Sequence, residues 1–558
     1  NTDMLIDLAQ QVNDSPPARE MDMLLSTGEQ VSVALMAMAV HSLGYQAVSL
    51  TGAQMGIQTD SSFTKARIRT IDADRIRRLL EQGNIVIAAG FQGIDQDLNI
   101  TTLGRGGSDT TAVALAAVLQ ADACEIHTDV DGVYTTDPRQ LPEARHMSQI
   151  SYDEMLELAS LGAGVMHNRS IEFAKKYSVP IHVRSSFSDG LGTLIVNQSE
   201  SPSSSVCGAA MTRDEARITV QGVPDIPGMS LQLFQLLAEN KIDVDMIVQN
   251  IGRQDRADIS FTLLKNELKH ASRVVEQAVR QIGATGFTFD DDVSKVSVVG
   301  LGMASQTGVA QRMFRALADS GINIQMITTS EIKISVLVTR SQALAALRAV
   351  HQAFQLEQQP SDARLWSELP QRLSTKADME KLVGDLQAAD MEQLRLSDIS
   401  LEDDQARVTL SGVPDAPGLA ADVFEAVAAE GIFVDMIVQS CDGYQGITSI
   451  SFTIPRAQYQ QCMDLVDSLK PRFGINRVAG APEISKLSVS GIGLRSHTNV
   501  AIGMFESLAA VGVNVEMINT SELRVNVVTN SHSGQKALES LRQKFADVIA
   551  DADVMADD

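Results

Sequence analysis

Cysteine is scarce in this chain, and no two cysteines form a motif. Cys124, Cys207, Cys441 and Cys462 lie far apart in 558 residues, with no CxxC and no neighbouring histidine cluster. Neither a disulfide framework nor a zinc site is signalled, and the thiols read as reduced and cytoplasmic. Positive charge is also in short supply. Forty-five basic against 70 acidic residues leave a formal net charge of −25, which repels polyanions and argues against nucleic acid or an anionic membrane as partner. The reading finds no apolar run of about 18 to 20 residues and no signal-peptide layout, so a soluble chain without a membrane segment is expected. A Walker A loop, GxxxxGK[ST], is absent too. So is an initiator methionine: the chain opens "NTDMLIDLAQ", with Met4, Leu5, Leu8 and Val12 at helical spacing. A segment upstream of residue 1 is therefore expected.

What is present is length and repetition. A chain of this size exceeds one hydrophobic core, and at about 150 residues per domain it divides into roughly three or four. "ARITVQGVPDIPGMSLQLFQLLAENKIDVDMIVQN" from Ala216 returns from Ala406 at an offset of 190, with 18 of 35 positions identical. A second stretch, from Ser294, returns from Ser485 at an offset of 191. Each repeat has a β-branched strand, a Gly/Pro turn, a helix with apolar residues at i, i+3 and i+4, and further strands. In the first copy these are Ile218 to Val220, Pro224 to Gly228, Leu231 to Leu237, Val244 to Val248 and Ile259 to Leu263. The expectation is four compact ferredoxin-like α+β modules in two tandem pairs, at 210–285, 290–355, 401–478 and 482–558. A polar linker, 356–400, carries the helix-forming run "ADMEKLVGDLQAADMEQL".

Residues 1–200 have another rhythm. Helical stretches alternate with short, continuously apolar ones such as "NIVIAAGF", "ACEIHTDV" and "VPIHVRSS", the pattern of an α/β fold with a mostly parallel sheet covered by helices. Ligands in such folds sit beyond the carboxyl ends of strands, where the glycines cluster here. In "TTLGRGGSDTTA" (101–112), Gly104, Gly106 and Gly107 allow close backbone approach, and Ser108 or Asp109 is expected to cap the following helix. That stretch reads either as a capped glycine turn or as an anion site at a helix start, and Arg105 adds a bidentate carboxylate or phosphate donor. Asp131-Gly132 and Asp137-Pro138 are turn formers singly. Together, "HTDVDGVYTTDPR" (127–139) reads as a nucleotide site. Glu29, in "LLSTGEQ", stands at an expected helix start, where an acid often only decorates the dipole.

"STGEQ" (26–30), "SLTGAQMGI" (49–57), "FQG" (91–93), "TTLGRGGSDTTA" and "TDVDGVYTTDPR" (128–139), in this order, resemble the aspartate kinases of the amino-acid kinase family. The duplicated modules resemble that family's ACT domains, and the resemblance covers essentially the whole chain. It implies ATP-dependent phosphorylation of L-aspartate to 4-phospho-L-aspartate, the first step toward lysine, threonine and methionine, with feedback inhibition by lysine and threonine. By the same resemblance Arg105 grips the substrate α-carboxylate and Glu29 faces its ammonium. Thr51 lies beside the substrate, Ser108 and the Gly106 and Gly107 amides lie near the reacting carboxylate, and Asp109 organises the centre. Thr128, Asp129, Asp131, Tyr134, Thr135, Asp137 and Arg139 match the nucleotide loop, with magnesium expected on the ATP phosphates and no protein metal cage. The family's first strand and its KFGGTS-type lysine loop would lie upstream of residue 1, and the chain without them would be catalytically crippled. Relatives place a lysine in "GAK" where this chain has "GAG" (Gly162 to Gly164), which leaves Arg139 or Arg184 to compensate.

In "VPDIPG" and "VPDAPG" a capped turn and an amino-acid site are both open readings. The resemblance implies effector pockets built from Asp225, Pro227, Gly228, Met229, Ser230 and Gln249, from Asp415, Pro417, Gly418 and Gln439, and from Asn323, Ile324, Gln325, Asn514, Val515 and Glu516 of partner modules. A homodimer through module contacts is the default assembly. Two alternatives stand beside this reading: another amino-acid kinase, and an inactive amino-acid sensor.

Overall fold

The helix–strand alternation of the first 200 residues builds three small sheets around one core. Ala47–Leu50 pairs in parallel with Ile85–Ala88, and Cys124–Thr128 pairs in parallel with Ile181–Ser185 in a four-stranded sheet completed by Thr193–Val196 and Gln149–Ser151. Short strands at 68–71, 57–59, 92–94 and 100–102 form the third sheet. Helices Gly107–Leu119, Tyr152–Ser160 and Asn168–Lys176 share a core with these strands, from Val113, Ala114 and Ala117 to Met155, Ile171, Ile181 and Ile195. The alanines let the first helix lie deep. The computed structural model describes residues 2–162, 165–251, 256–304, 306–364, 390–441, 446–494 and 499–549.

One element departs from the sequence reading. Ala18–Ser42 is a single 25-residue helix, long and apolar enough by length and composition to cross a membrane, where no apolar run of that length was expected. Scattered polar residues hide it from a simple scan, and they pin it to the domain. Asp22 is fully buried, and its carboxylate accepts the Thr64 amide (2.9 Å), the Thr102 amide (2.8 Å) and the Thr102 hydroxyl (2.6 Å). Burial pushes this carboxyl up and those hydrogen bonds pull it back. The helix also runs straight through Glu29, so Glu29 is mid-helix and not at a helix start.

The repeated modules assemble into one twelve-stranded antiparallel sheet. Each has two helices where the sequence reading names one. The second, Leu268–Ile282 in module 1, buries Ala271, Val274, Val275, Ala278 and Ile282, a helical stripe that the strand-centred reading passed over. Module boundaries are shared strands. Gly208–Pro224 pairs along its length with Gly286–Val299, and Arg395–Pro414 pairs likewise with Arg477–Ile492, so residues 395–400, read as linker, are strand. Of the run expected to be helical, residues 377–389 lie outside the described residues, and 390–394 are not helix.

Although the modules follow one another in tandem pairs, they dock first with fourth and second with third. Ile327 and Thr328 of module 2 pair with Gln439 and Val438 of module 3, continuing the sheet. Met246, Met326, Met436 and Met517, one from each module, share a central core with Val248, Val293, Leu337, Val438, Ile484 and Val528.

Candidate active site and effector pockets

The loop 103–107 is shaped by what surrounds it. Gly104 and Gly106 have φ of 81° and 66°, in the left-handed region that favours glycine. A Cβ on Gly106 would stand 2.2 Å from the Cβ of His167, and one on Gly107 would stand 2.9 Å from Leu103 Cβ. The helix Gly107–Leu119 therefore starts hard against His167. Its N-cap is Gly106, with no side-chain cap. Ser108 and Asp109, expected as caps, instead lie in the first turn and line a cleft together with Glu29, Arg105, Gly106 and Gly107. Burial raises the Asp109 carboxyl.

His167 caps the next helix, its Nδ1 accepting the Arg169 amide at 3.4 Å. Burial, then Arg169 and Arg105, lower its pKa below the ordinary histidine value, so it stands neutral beside the cationic loop. "VMHNRS" was not singled out in the sequence, although a polar cluster opening an amphipathic helix is a readable signal. Asp243 and Glu522 of the modules also line the cleft, which no local sequence pattern announces. The Asn168 amide nitrogen donates to Glu522 (3.1 Å), and the Glu522 backbone amide donates to Glu157 (3.1 Å).

Thr51 is not among the lining residues. It follows strand Ala47–Leu50, with its amide donating to Gln54 Oε1 at 3.0 Å. The loop 128–139 lies at the end of strand Cys124–Thr128. Thr128 donates to Asp129 (3.2 Å) and Asp131 accepts from Ser188 (3.0 Å). Tyr134 packs edge-on to His146 at 5.3 Å. Burial works against the Asp137 carboxylate, but two side-chain hydrogen bonds from Arg139, at 3.0 and 3.1 Å, hold its pKa below the ordinary value. Thr135, in the same stretch, is fully buried, and its hydroxyl meets His351 of module 2 at 3.0 Å, at the junction between the halves. Of "GAG", Ala163 and Gly164 lie outside the described residues; Arg184 lies 3.9 Å from Glu125.

The module docking assembles most of the expected effector residues into two matching sites. Asp225 accepts from Asn514 and Asp415 accepts from Asn323, each at 2.7 Å. Gln249 donates to the Val515 carbonyl (2.7 Å) and Gln439 to the Ile324 carbonyl (3.0 Å). Gly228 and Gly418, at φ of 92° and 93°, are the N-caps of helices Met229–Glu239 and Leu419–Ala429. Each puts its Cα hydrogens toward an alanine of the partner module, Ala509 or Ala318, 3.7 Å from an added Cβ. Pro227 and Pro417 precede those caps and Met229 follows the first. Among the positions at which the two sites differ, one changes a hydrogen bond. The Ser230 hydroxyl donates to Gln249 Oε1 at 2.8 Å, whereas alanine stands at 420 and the buried Gln439 Oε1 has no hydrogen-bond partner among the described residues. Of the remaining expected residues, the Gln325 side-chain amide donates to Thr339 and Glu516 pairs with Arg407.

The amino acid kinase family model matches residues 2–185, and the ACT domain model matches 218–279, 296–354, 408–468 and 487–545. An aspartate kinase of Pseudomonas putida is 52% identical over 358 residues, 64% of this chain and 87% of that one. A crystal structure of aspartate kinase from Synechocystis aligns with a TM-score of 0.55 at 38% identity, covering 98% of this chain and 90% of the other. E. coli aspartokinase III in complex with aspartate and ADP aligns with a TM-score of 0.52 at 26% identity, over 63% and 79% of the two chains.

Proposed function

The chain belongs to the aspartate kinases, and from that premise we propose that its cleft phosphorylates the side-chain carboxylate of L-aspartate with ATP and that its module pairs bind inhibitory amino acids. The observation that carries the substrate reading is the convergence of Glu29, Arg105 and the start of helix Gly107–Leu119 on one cleft. Arg105 is the bidentate partner for the α-carboxylate, and Glu29 faces the ammonium. The attacking carboxylate has no proton to lose, so catalysis is positioning plus neutralisation of charge on the transferring phosphoryl. The helix start and Ser108 supply donors there. Asp109 organises the centre and is no general base.

ATP would occupy the neighbouring loop through Thr128, Asp129, Asp131, Tyr134, Asp137 and Arg139. Magnesium would be carried on the nucleotide's phosphates. That ion would neutralise phosphate charge when bound.

Lysine and threonine are the leading effectors, methionine the next. An Asp for the ammonium and helix-start amides for the carboxylate are the groups an amino acid needs, and both module pairs hold them. Effector binding would tighten module pairing and lower substrate affinity, with a coupling of about 1–3 kcal/mol. A cytoplasmic homodimer is the expected form. The deciding experiment is aspartate-dependent ATP turnover by the full-length protein, trapping the acyl phosphate with hydroxylamine, with and without lysine plus threonine. Turnover suppressed by the amino acids is expected. Amino-acid binding without any turnover would leave a sensor and overturn the kinase mechanism for this chain.

A further inference from the structure

The segment 390–395 joins the linker to strand Arg395–Pro414, yet it lies against the kinase half. Met391 is buried in the core of that half. Its amide donates to the Arg69 carbonyl at 2.8 Å, and its carbonyl accepts from the Tyr177 hydroxyl and the Lys176 amine, each at 2.9 Å. Glu392 follows the same line. Its amide donates to the Ile68 carbonyl (3.3 Å) and its carboxylate accepts the Ile68 amide (2.7 Å). The segment thus docks on strand Ile68–Ile71, an edge of its sheet.

The Glu392 carboxylate also takes Arg169 in a bidentate pair, Nε at 2.6 Å and Nη2 at 2.7 Å. Both side chains are nearly out of water, 14% and 8% exposed. With its remaining hydrogens Arg169 donates to the carbonyls of Leu103 and Ala66, each at 2.6 Å. Leu103 is two residues before Arg105, and Ala66 follows the turn at 63–64, whose Thr64 carbonyl would meet a Cβ on Gly104 at 2.8 Å. One guanidinium therefore spans the regulatory segment and both backbones that shape the Arg105 loop.

We propose that 390–395 is a strap from the regulatory half, and that Glu392 and Arg169 are positioning residues that set the Arg105 loop for aspartate. Arg169 touches no reacting atom; it acts through the Leu103 and Ala66 carbonyls. The strap continues directly into Arg395–Pro414, the strand shared by modules 3 and 4, and Leu396 donates to Val548 at 2.9 Å. A shift of that module pair pulls on Glu392 and loosens the loop.

The inference rests on Arg105 being the aspartate-binding arginine, so the test runs Glu392→Gln, Glu392→Ala and Arg105→Ala together in the full-length enzyme. Glu392→Gln keeps the shape and an acceptor for Ile68 but loses the charge. It should raise KM for aspartate about tenfold while KM for ATP and kcat stay within about twofold, and Glu392→Ala should do more in the same direction. Both should also weaken inhibition by lysine plus threonine. The strap is overturned if aspartate KM is unchanged in both Glu392 variants while Arg105→Ala raises it. It is equally overturned if kcat and both KM values move together with a falling Tm, the signature of a merely structural role. An unchanged aspartate KM in Arg105→Ala overturns the substrate-site reading and takes the strap with it.

Discussion

Gly106 shows how narrowly one residue is constrained. An alanine there must hold φ near 66° and place its Cβ 2.2 Å from that of His167, a Cβ–Cβ contact that no rotamer relieves. Gly106→Ala should lower kcat/KM for aspartate by about 100-fold or more, because a misplacement of about 1 Å at a positioned site costs that much; steady-state kinetics on the folded variant would check it. Lys176 carries a pH signature. Burial, then Arg395, lower its amine from 10.5 to about 8. Between those values the unfolded chain binds the proton that the folded chain does not, so stability rises with pH across that window. Denaturant titrations from pH 7.5 to about 10.5 should show this rise in the parent and a flatter curve in Lys176→Met.

At the scale of elements, the helix starts of modules 1 and 3 carry the regulatory prediction. Gly228→Ala and Gly418→Ala each force an L-residue into the left-handed region beside a partner-module alanine, which strains the turn that would receive an effector carboxylate. Each should raise the lysine plus threonine concentration for half-inhibition by roughly tenfold, matching about 1.4 kcal/mol of lost binding. Inhibition curves unchanged in both variants would exclude these pockets as effector sites. The repeat grammar and both Gly-capped helices were readable in the sequence. The second helix of each module was readable too, since Val274, Val275 and Ala278 are periodic, but its docking face needed the sheet beneath it.

Across the whole molecule, the two halves meet at a buried ion pair. Glu157, fully buried, lies 2.7 Å from Lys333 of module 2 and also accepts the Glu522 amide of module 4. Burial raises the Glu157 carboxyl and Lys333 offsets part of that rise. Removing one partner strands a buried charge, at about 3–5 kcal/mol, whereas replacing both with apolar or neutral groups of similar volume is far milder. Lys333→Met should therefore lower Tm by several degrees, and Glu157→Gln with Lys333→Met should restore most of the loss, as calorimetry would read. Neither residue stands out in sequence, because a lone Glu in a helix and a lone Lys in a strand are ordinary until 176 positions of separation are closed by folding.

Composition, the duplicated segments and the ordered glycine-rich motifs were sufficient by themselves to indicate the family, the four modules and the glycine-rich helix start at Arg105 to Asp109, whereas Glu29, read at a helix start, lies mid-helix and reaches that cleft only through folding. The legible features are local properties: periodicity, turn chemistry and helix starts are written within a few residues of one another. Tertiary structure alone decided that module 1 docks on module 4 and module 2 on module 3. It alone brought Thr135 to His351, Gln325 to Thr339 and Glu516 to Arg407, and it brought Glu392 to Arg169 across more than 200 residues. Such choices depend on which surfaces remain unpaired once the sheets have formed, and burial then fixes them, since a polar group removed from water must find whichever partner lies within reach.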